Sequence, residues 1–183
     1  MAEKIKAKIM DEKKMKRTIS RMAMEILEKN REIENLVLIG IQTKGVYIAK
    51  RIQKEIEETE GVKLPLGILD ITLFRDDLHK QEQKPVIQKT EINFSVEDKD
   101  IILIDDVVFT GRTIRAAMDS IFELGRPASV QLAVFIDRGH RELPICADFR
   151  GKYLPTSRRE RVNVMLKEVD NIDQVLIMEP EGF

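Results

Sequence analysis

The residues best placed to do chemistry lie in one run, Ile101 to Thr113, which reads IILIDDVVFTGRT. Four apolar residues lead into Asp105 and Asp106. Val107, Val108 and Phe109 follow, and then Thr110-Gly111-Arg112-Thr113 opens a helical pattern. Each part has a physical use. The amides at a helix N-terminus, with the hydroxyls of Thr110 and Thr113, hold a phosphate. Gly111 lets the backbone come close to it. The two carboxylates accept hydrogen bonds from sugar hydroxyls, or sit beside a magnesium ion. A phosphate cradle a few residues from a diol-binding acid pair describes a ribose 5-phosphate site. An Asp-Asp pair alone is more often a plain turn between strand and helix; the full order of residues is far more specific. No G-x-x-x-x-G-K-[ST] loop occurs, and no G-x-G-x-x-G follows a strand, so ATPase and dinucleotide fingerprints are excluded.

The elements that must position this run alternate between strand and helix. Ile5, Ala7 and Ile9 alternate with lysines, as in a half-exposed strand. Asp11 is a natural N-cap for a helix over 11–29, whose apolar stripe is Met15, Ile19, Met22, Ala23, Ile26 and Leu27. The unbroken apolar runs at 36–41, 101–104 and 130–136 read as strands buried on both faces. Leu66 to Phe74 reads as another strand, and Val162–Leu166 and Val175–Ile177 as strands of the tail. A second helix, with Ala49, Ile52 and Ile56 inward, ends at Gly61; a third covers Thr113 to Leu124. The stretch from Arg75 to about Phe94 has no helical period and reads as a long loop, with a hairpin around Val86-Ile87 and Ile92–Phe94. This pattern predicts one α/β domain over 1–183 with a mostly parallel twisted sheet flanked by helices. Polar clusters at 42–45, 75–77, 105–113 and 137–142 follow the strands, where such sheets bind ligands.

Composition narrows the class. The chain has 183 residues, 31 Lys+Arg against 32 Asp+Glu, and a net charge of −1, which argues against a uniformly basic coat. A 43% apolar content supplies a core. The single cysteine, Cys146, excludes a disulfide framework, and no apolar run is long enough for a membrane helix. With no apolar signal core after Met1, the expectation is a cytoplasmic protein without membrane contact. Charge is uneven, however. Residues 138–161 hold seven Lys+Arg and three acids, a net of +4, and the first helix carries Lys16, Arg17 and Arg21 opposite its apolar stripe. Such faces are usually just solvated; they also neutralise nucleic-acid phosphates.

The Ile101–Thr113 run resembles the phosphoribosyl pyrophosphate (PRPP) signature of the type I phosphoribosyltransferases. Together LFRDDL, DDVVFTGRT, VFIDRGHRELPI and GKYLPTS are similar to the members that couple uracil phosphoribosyltransferase activity to attenuation of pyrimidine operons, over about Arg17 to Glu179. The resemblance implies a flexible lid over 75–94, a small hood, and a reaction of uracil with PRPP giving UMP and pyrophosphate. It implies that Thr43-Lys44-Gly45 forms the pyrophosphate loop, where Lys44 stands in place of the usual arginine. Magnesium would enter with PRPP, neutralise the pyrophosphate and hold it together with Lys44 and Arg75, with Asp76 and Asp77 reaching the metal directly or through water. Asp105 and Asp106 would hold the ribose, and Val107, Val108, Phe109, Thr110, Gly111, Arg112 and Thr113 would wrap the 5-phosphate. Backbone groups of Ile136 and Val162 would flank the base, with Arg138 either stacked on it or merely a surface arginine.

The same resemblance implies UMP- or UTP-dependent binding of the leader RNA of pyrimidine genes, through Thr18, Arg21, His140, Arg141 and Lys152, in a homodimer or homotetramer. Cys146 replaces an arginine often found at that position. The alternatives are a uracil enzyme without RNA regulation, a purine phosphoribosyltransferase, and a non-catalytic nucleotide sensor. The intact Asp105, Asp106, Thr110, Gly111 and Thr113 argue against the last, and DRGHRELPI against the purine enzyme.

Overall fold

The structure, a computed structural model, describes residues 3–72 and 90–180. β1 (Glu3–Met10) is largely exposed and leads into α1 (Glu12–Lys29). Asp11 caps that helix by accepting the Lys14 backbone N–H at 2.8 Å, which satisfies one of the donors that a helix start leaves open. α1 buries Met15, Ile19, Met22, Ala23 and Ile26, the expected stripe. A 3-10 turn at Ile33–Asn35 precedes β2 (Leu36–Ile41), which is buried at every position. α2 (Lys44–Glu60) stops at Gly61, whose φ of +69° suits a residue without a Cβ.

β3 (Leu66–Leu69) is shorter than the strand expected over 66–74. Asp70 ends it, since its side chain accepts the Thr72 N–H at 2.9 Å and folds the chain into a turn. Beyond residue 89 the chain lies along the sheet: Ile68 and Glu91 exchange backbone hydrogen bonds of 2.9 and 2.8 Å. Ile92 and Phe94 pack on the core, so 90–94 is a sheet margin and not lid. The Val86-Ile87 arm of the expected hairpin and Arg75, Asp76 and Asp77 lie outside the described residues.

β4 (Asp100–Val108), α3 (Arg112–Leu124) and β5 (Ser129–Asp137) follow, then β6 (Phe149–Tyr153), β7 (Arg161–Met165), a short turn of helix α4 (Lys167–Asp170) and β8 (Gln174–Pro180). Five strands make a parallel sheet in the order β3-β2-β4-β5-β6. β1, β8 and β7 make a separate antiparallel sheet, the hood, woven from both ends of the described chain. α1 and α2 cover one face of the main sheet, and the core there continues into Val162, Val164 and Val175 of the hood. α3 and the 92–96 segment cover the other face.

A partly buried cluster of one arginine and two acids ties α2 to α4 and the turn before β8. Arg51 donates two bonds to Asp173 (3.0 and 2.7 Å) and two to Glu168 (3.0 and 2.6 Å). β6 is the edge strand that the sequence did not reveal. Gly151 lets it close on its neighbours: a Cβ there would stand 2.3 Å from the Phe135 carbonyl oxygen and 2.9 Å from Thr18 Cγ2 of α1.

Candidate active site

The acid pair sits inside β4 and not beyond its end, so the strand's hydrogen bonds fix its backbone. Asp105 is only 6% exposed, and Asp106 is partly buried beside it. The Asp106 N–H donates to Asp105 Oδ1 at 2.9 Å. Burial pushes the Asp105 carboxyl well above the usual range, and the charge of Asp106 pushes the same way. Asp106 is also raised by burial, against the opposing pull of its hydrogen bond with Asp105 and the charge of Lys44. Two desolvated carboxylates side by side are costly in the free protein, and they are well suited to accept hydroxyl donors or face a cation.

Directly after them, Val107, Val108, Phe109, Thr110, Gly111, Thr113 and Ile114 line a cavity of about 120 Å³. A hollow of this size admits a few waters or a small oxyanion. Gly111 sits at φ +95° and is the N-cap of α3, so the helix N-terminus and its partial positive charge face this cradle. Arg112 is exposed on its outer side and pairs with Glu142 at 3.0 Å.

The 42–45 turn is built by close approach. A Cβ on Gly45 would lie 2.5 Å from the Ile104 carbonyl oxygen, so only glycine lets the first turn of α2 press on β4. Thr43 is exposed at the N-cap of that helix. Lys44 reaches across to the hood: its Nζ donates to the Val164 carbonyl, lies 3.4 Å from Asn163 Oδ1 and 3.3 Å from Asp170 Oδ2. One ammonium thus spans the strand-end acids and the hood.

Ile136 is fully buried and Val162 is 7% exposed, both with side chains in the core, which leaves only their backbone toward a ligand. Arg138 corrects the expectation of an open stacking face. It is 7% exposed, with its guanidinium 4.1 Å from the Phe109 ring centroid. It donates to Thr156 Oγ1 at 3.1 Å and to the carbonyls of Ser157 (3.0 Å) and Glu160 (2.7 Å). Burial lowers its basicity, partly offset by Glu160. The side chain is a strut between the phosphate loop and the 156–160 turn.

Arg141 likewise points inward. It donates to the Phe109 carbonyl at 2.8 Å and the Ile145 carbonyl at 2.9 Å, and pairs with Asp137 at 2.7 Å. The His140 ring stands edge-on to Phe109, 5.8 Å between centroids, and bonds to the Thr156 carbonyl. The Thr110 carbonyl accepts the N–H groups of Glu142 (2.9 Å) and Leu143 (3.2 Å). The 138–145 loop is therefore the outer wall of the 107–113 loop. Asp137, within VFIDRGHRELPI, is a functional residue with no role legible in the sequence. It is 5% exposed and anchors that wall through Arg141 and the Gly139 N–H, 3.0 Å away. The available signal was an acid closing the apolar run 130–136 with Arg141 four residues on.

Thr18, Arg21 and Lys152 do come together. With Ile9, Met10, Lys14, Arg17 and Gly151 they line an open groove of about 380 Å³ between α1 and β6. His140 and Arg141 lie outside its lining.

Residues 7–157 match the phosphoribosyl transferase domain family. The bifunctional protein PyrR of Caldicellulosiruptor bescii is 57% identical over 175 residues, 96% of both chains, and that of Clostridioides difficile 55% over 174, 95% of this chain and 98% of its own. The chain belongs to the PyrR group of phosphoribosyltransferases. Solved structures with the same fold include a hypoxanthine phosphoribosyltransferase from Staphylococcus aureus (TM-score 0.72, 19% identity, 98% of this chain and 96% of that one). Another is the Trypanosoma cruzi enzyme in complex with its product IMP (TM-score 0.74, 16% identity, 97% and 92%). At such identities the likeness is one of fold alone. In this PyrR-group chain the strand-end acids and the glycine-capped cradle fall where the sequence placed the PRPP signature.

Proposed function

We propose that the chain joins uracil to PRPP, releasing pyrophosphate and giving UMP, and that it binds RNA in response to the nucleotide. The observation that carries the enzymatic half is the buried Asp105–Asp106 pair running straight into the phosphate-sized cradle of 107–114. In this reading Asp105 and Asp106 hold the ribose hydroxyls, the 107–113 loop holds the 5-phosphate, and Thr43, Lys44 and Gly45 receive the pyrophosphate. The hood and the ends of β5 and β7, at Ile136 and Val162, border the base. Catalysis rests on positioning and on charge aimed at the leaving group, and needs no protein nucleophile. Arg75, Asp76 and Asp77 keep the roles the resemblance gives them.

Among the described residues no group of three or more His, Cys, Asp or Glu side chains forms a metal cage. A donor set of one or two carboxylates fits magnesium that arrives on a pyrophosphate, where the ion neutralises the leaving group. Asp105, Asp106, Asp76 and Asp77 are the side chains that would face it.

The regulatory half rests on the groove between α1 and β6, whose charged lining is wholly basic: Lys14, Arg17, Arg21 and Lys152. We place leader RNA there, with His140 and Arg141 acting from the wall of the phosphate loop. The relatives' name, bifunctional protein, supports two activities in one chain of this length. The whole chain acts as one unit, as a homodimer or homotetramer that brings basic faces together, in the cytoplasm. No helix among the described residues is long and apolar enough to cross a membrane.

The test is pyrophosphate release from PRPP and magnesium with uracil or hypoxanthine as acceptor, alongside binding of pyrimidine-operon leader RNA with and without UMP. Turnover with uracil alone and RNA binding strengthened by UMP are the expected results. Turnover with hypoxanthine would move the reading to the purine enzyme, and RNA binding indifferent to UMP would remove the regulatory half.

A further inference from the structure

Tyr153 is the last residue of β6 and is 56% exposed, in a chain with two tyrosines and no tryptophan. Its backbone is firmly held. Tyr153 pairs with Asp137 in the β5–β6 ladder, and the next residue, Leu154, donates to the Asp137 carbonyl at 2.8 Å. The ring therefore projects from a rigid strand end, the kind of support that makes a contact surface costly to disturb but cheap to use.

Its surroundings are specific. Residues 151 and 153 share one face of the strand, and Gly151 on that face packs against Thr18 of α1. Lys29 near the end of α1 lies over the Phe149 ring, so α1 runs antiparallel to β6. The early turns of α1, with Lys14 and Arg17, lie toward the Tyr153 end. On its other side the Tyr153 hydroxyl is the one neighbour a Cβ on Gly139 would meet, 3.7 Å away. The hydroxyl thus lies beside the start of the 139–141 loop, and the residue follows groove-lining Gly151 and Lys152 along β6 while lying outside the groove's own lining.

We propose that Tyr153 is a stacking platform for an unpaired base of an RNA whose backbone lies in the groove of Lys14, Arg17, Thr18, Arg21 and Lys152. A cationic track beside an exposed aromatic face is the pairing single-stranded nucleic acid needs: phosphates on the track, a splayed base on the ring. The inference rests on the RNA-binding half of the proposed function and adds a residue that no charge count can find. Tyr153 takes no part in the catalytic machinery described above.

The experiment compares the wild-type protein with Tyr153→Ala, Tyr153→Trp and Lys152→Gln, using labelled pyrimidine-operon leader RNA with UMP over a salt series. Stacking predicts that Tyr153→Ala weakens binding by about 5- to 150-fold with an unchanged salt slope. Tyr153→Trp keeps the affinity, and Lys152→Gln lowers the slope by about one contact. Uracil turnover stays at the wild-type level in both Tyr153 variants. In a Tyr47→Phe background Tyr153 is the sole tyrosine, and a stacked base quenches its emission. Wild-type-like affinity of Tyr153→Ala, or a loss accompanied by a shallower slope, overturns the proposal. If wild-type protein binds leader RNA no better than a scrambled RNA, the regulatory reading fails on its own. The same quenching experiment with a uridine oligonucleotide then decides the platform, and unchanged emission rejects it.

Discussion

Replacing Asp105 by Asn should stabilise the ligand-free protein while removing its ribose ligand. Asp105 is 6% exposed, adjoins a second carboxylate, and has its pKa pushed well up by burial and by Asp106. A carboxyl whose folded-state pKa lies above its unfolded value of about 3.9 destabilises the fold once pH exceeds that unfolded value. Below about pH 4 the acid is protonated in both states, and wild type and variant should melt together. As pH rises the unfolded chain ionises first, wild type loses stability relative to the variant, and the gap levels off above the folded pKa. Asparagine keeps the carbonyl that accepts the Asp106 N–H at 2.9 Å, so the strand end is preserved.

The gain should be about 1–2 kcal/mol, the cost of keeping a poorly compensated polar group buried. For a chain of this size that raises Tm by about 2–8 °C. The assay is thermal denaturation without ligand from pH 4 to pH 8, repeated with PRPP and magnesium. Saturating ligand at 100 times its Kd adds about 2.7 kcal/mol to whichever protein binds it, so PRPP should reverse the order in favour of wild type. A variant that melts below wild type at pH 8, or a gap as large at pH 4 as at pH 8, would refute the argument that Asp105 is held at a cost for its ligand.

Lys44→Ala removes the charge that holds Asp106 down against burial. The Asp106 pKa should rise, so the acidic limb of the kcat/KM profile shifts to higher pH, measured as uracil-dependent pyrophosphate release. Arg51→Met leaves Asp173, 8% exposed, without its bidentate partner. Removing one member of a buried pair costs about 3–5 kcal/mol, which part exposure of Arg51 and Glu168 lowers to about 2–3, and urea midpoints should record it. Gly151→Ala puts a Cβ 2.3 Å from the Phe135 carbonyl, so β6 must move outward. That overpacking should cost about 1–3 kcal/mol and weaken RNA binding at the deformed groove, with both read on the same preparation.

What was legible in the sequence follows from what each residue's neighbours are. β2 and the first part of β4 read clearly because strands covered on both faces need apolar side chains at every position. α1 read clearly because one stripe is buried and Asp11 marks its start. β6 was missed because an edge strand with one buried side chain, Phe149, leaves no alternation to count. Its place is set by Gly151 meeting β5 and α1, contacts that no local pattern encodes. The acids and the 107–113 loop stood out because a strand run into two acids and a T-G-x-T turn is a specific order of residue types. The inward direction of Arg138 and Arg141 was not legible because an arginine in a polar loop looks the same whether its fork meets solvent or carbonyls 22 and 32 residues away. Partner choice of that kind is decided by the meeting of β4, β5 and the 156–160 turn.

The inward direction of these two arginines bears on how the proposed nucleotide and RNA sites are linked. Had Arg138 and Arg141 faced outward, the RNA surface and the phosphate loop would be independent. Instead Phe109, in the middle of the phosphate loop, is gripped by Arg138 on its ring and by Arg141 on its carbonyl. His140 stands at its edge, and Asp137 and Thr156 tie these side chains to β5 and the 156–160 turn. The strand that ends at Asp137 is paired residue for residue with the one that carries Lys152 and Tyr153. A ligand coupled to RNA binding must interact differently with two states of such a connected element. A phosphate settling on the amides around Phe109 acts on the backbone that Arg141 holds. On the proposed reading, β5 and β6 join that backbone to the groove, and the response of RNA binding to nucleotide runs through this connected element.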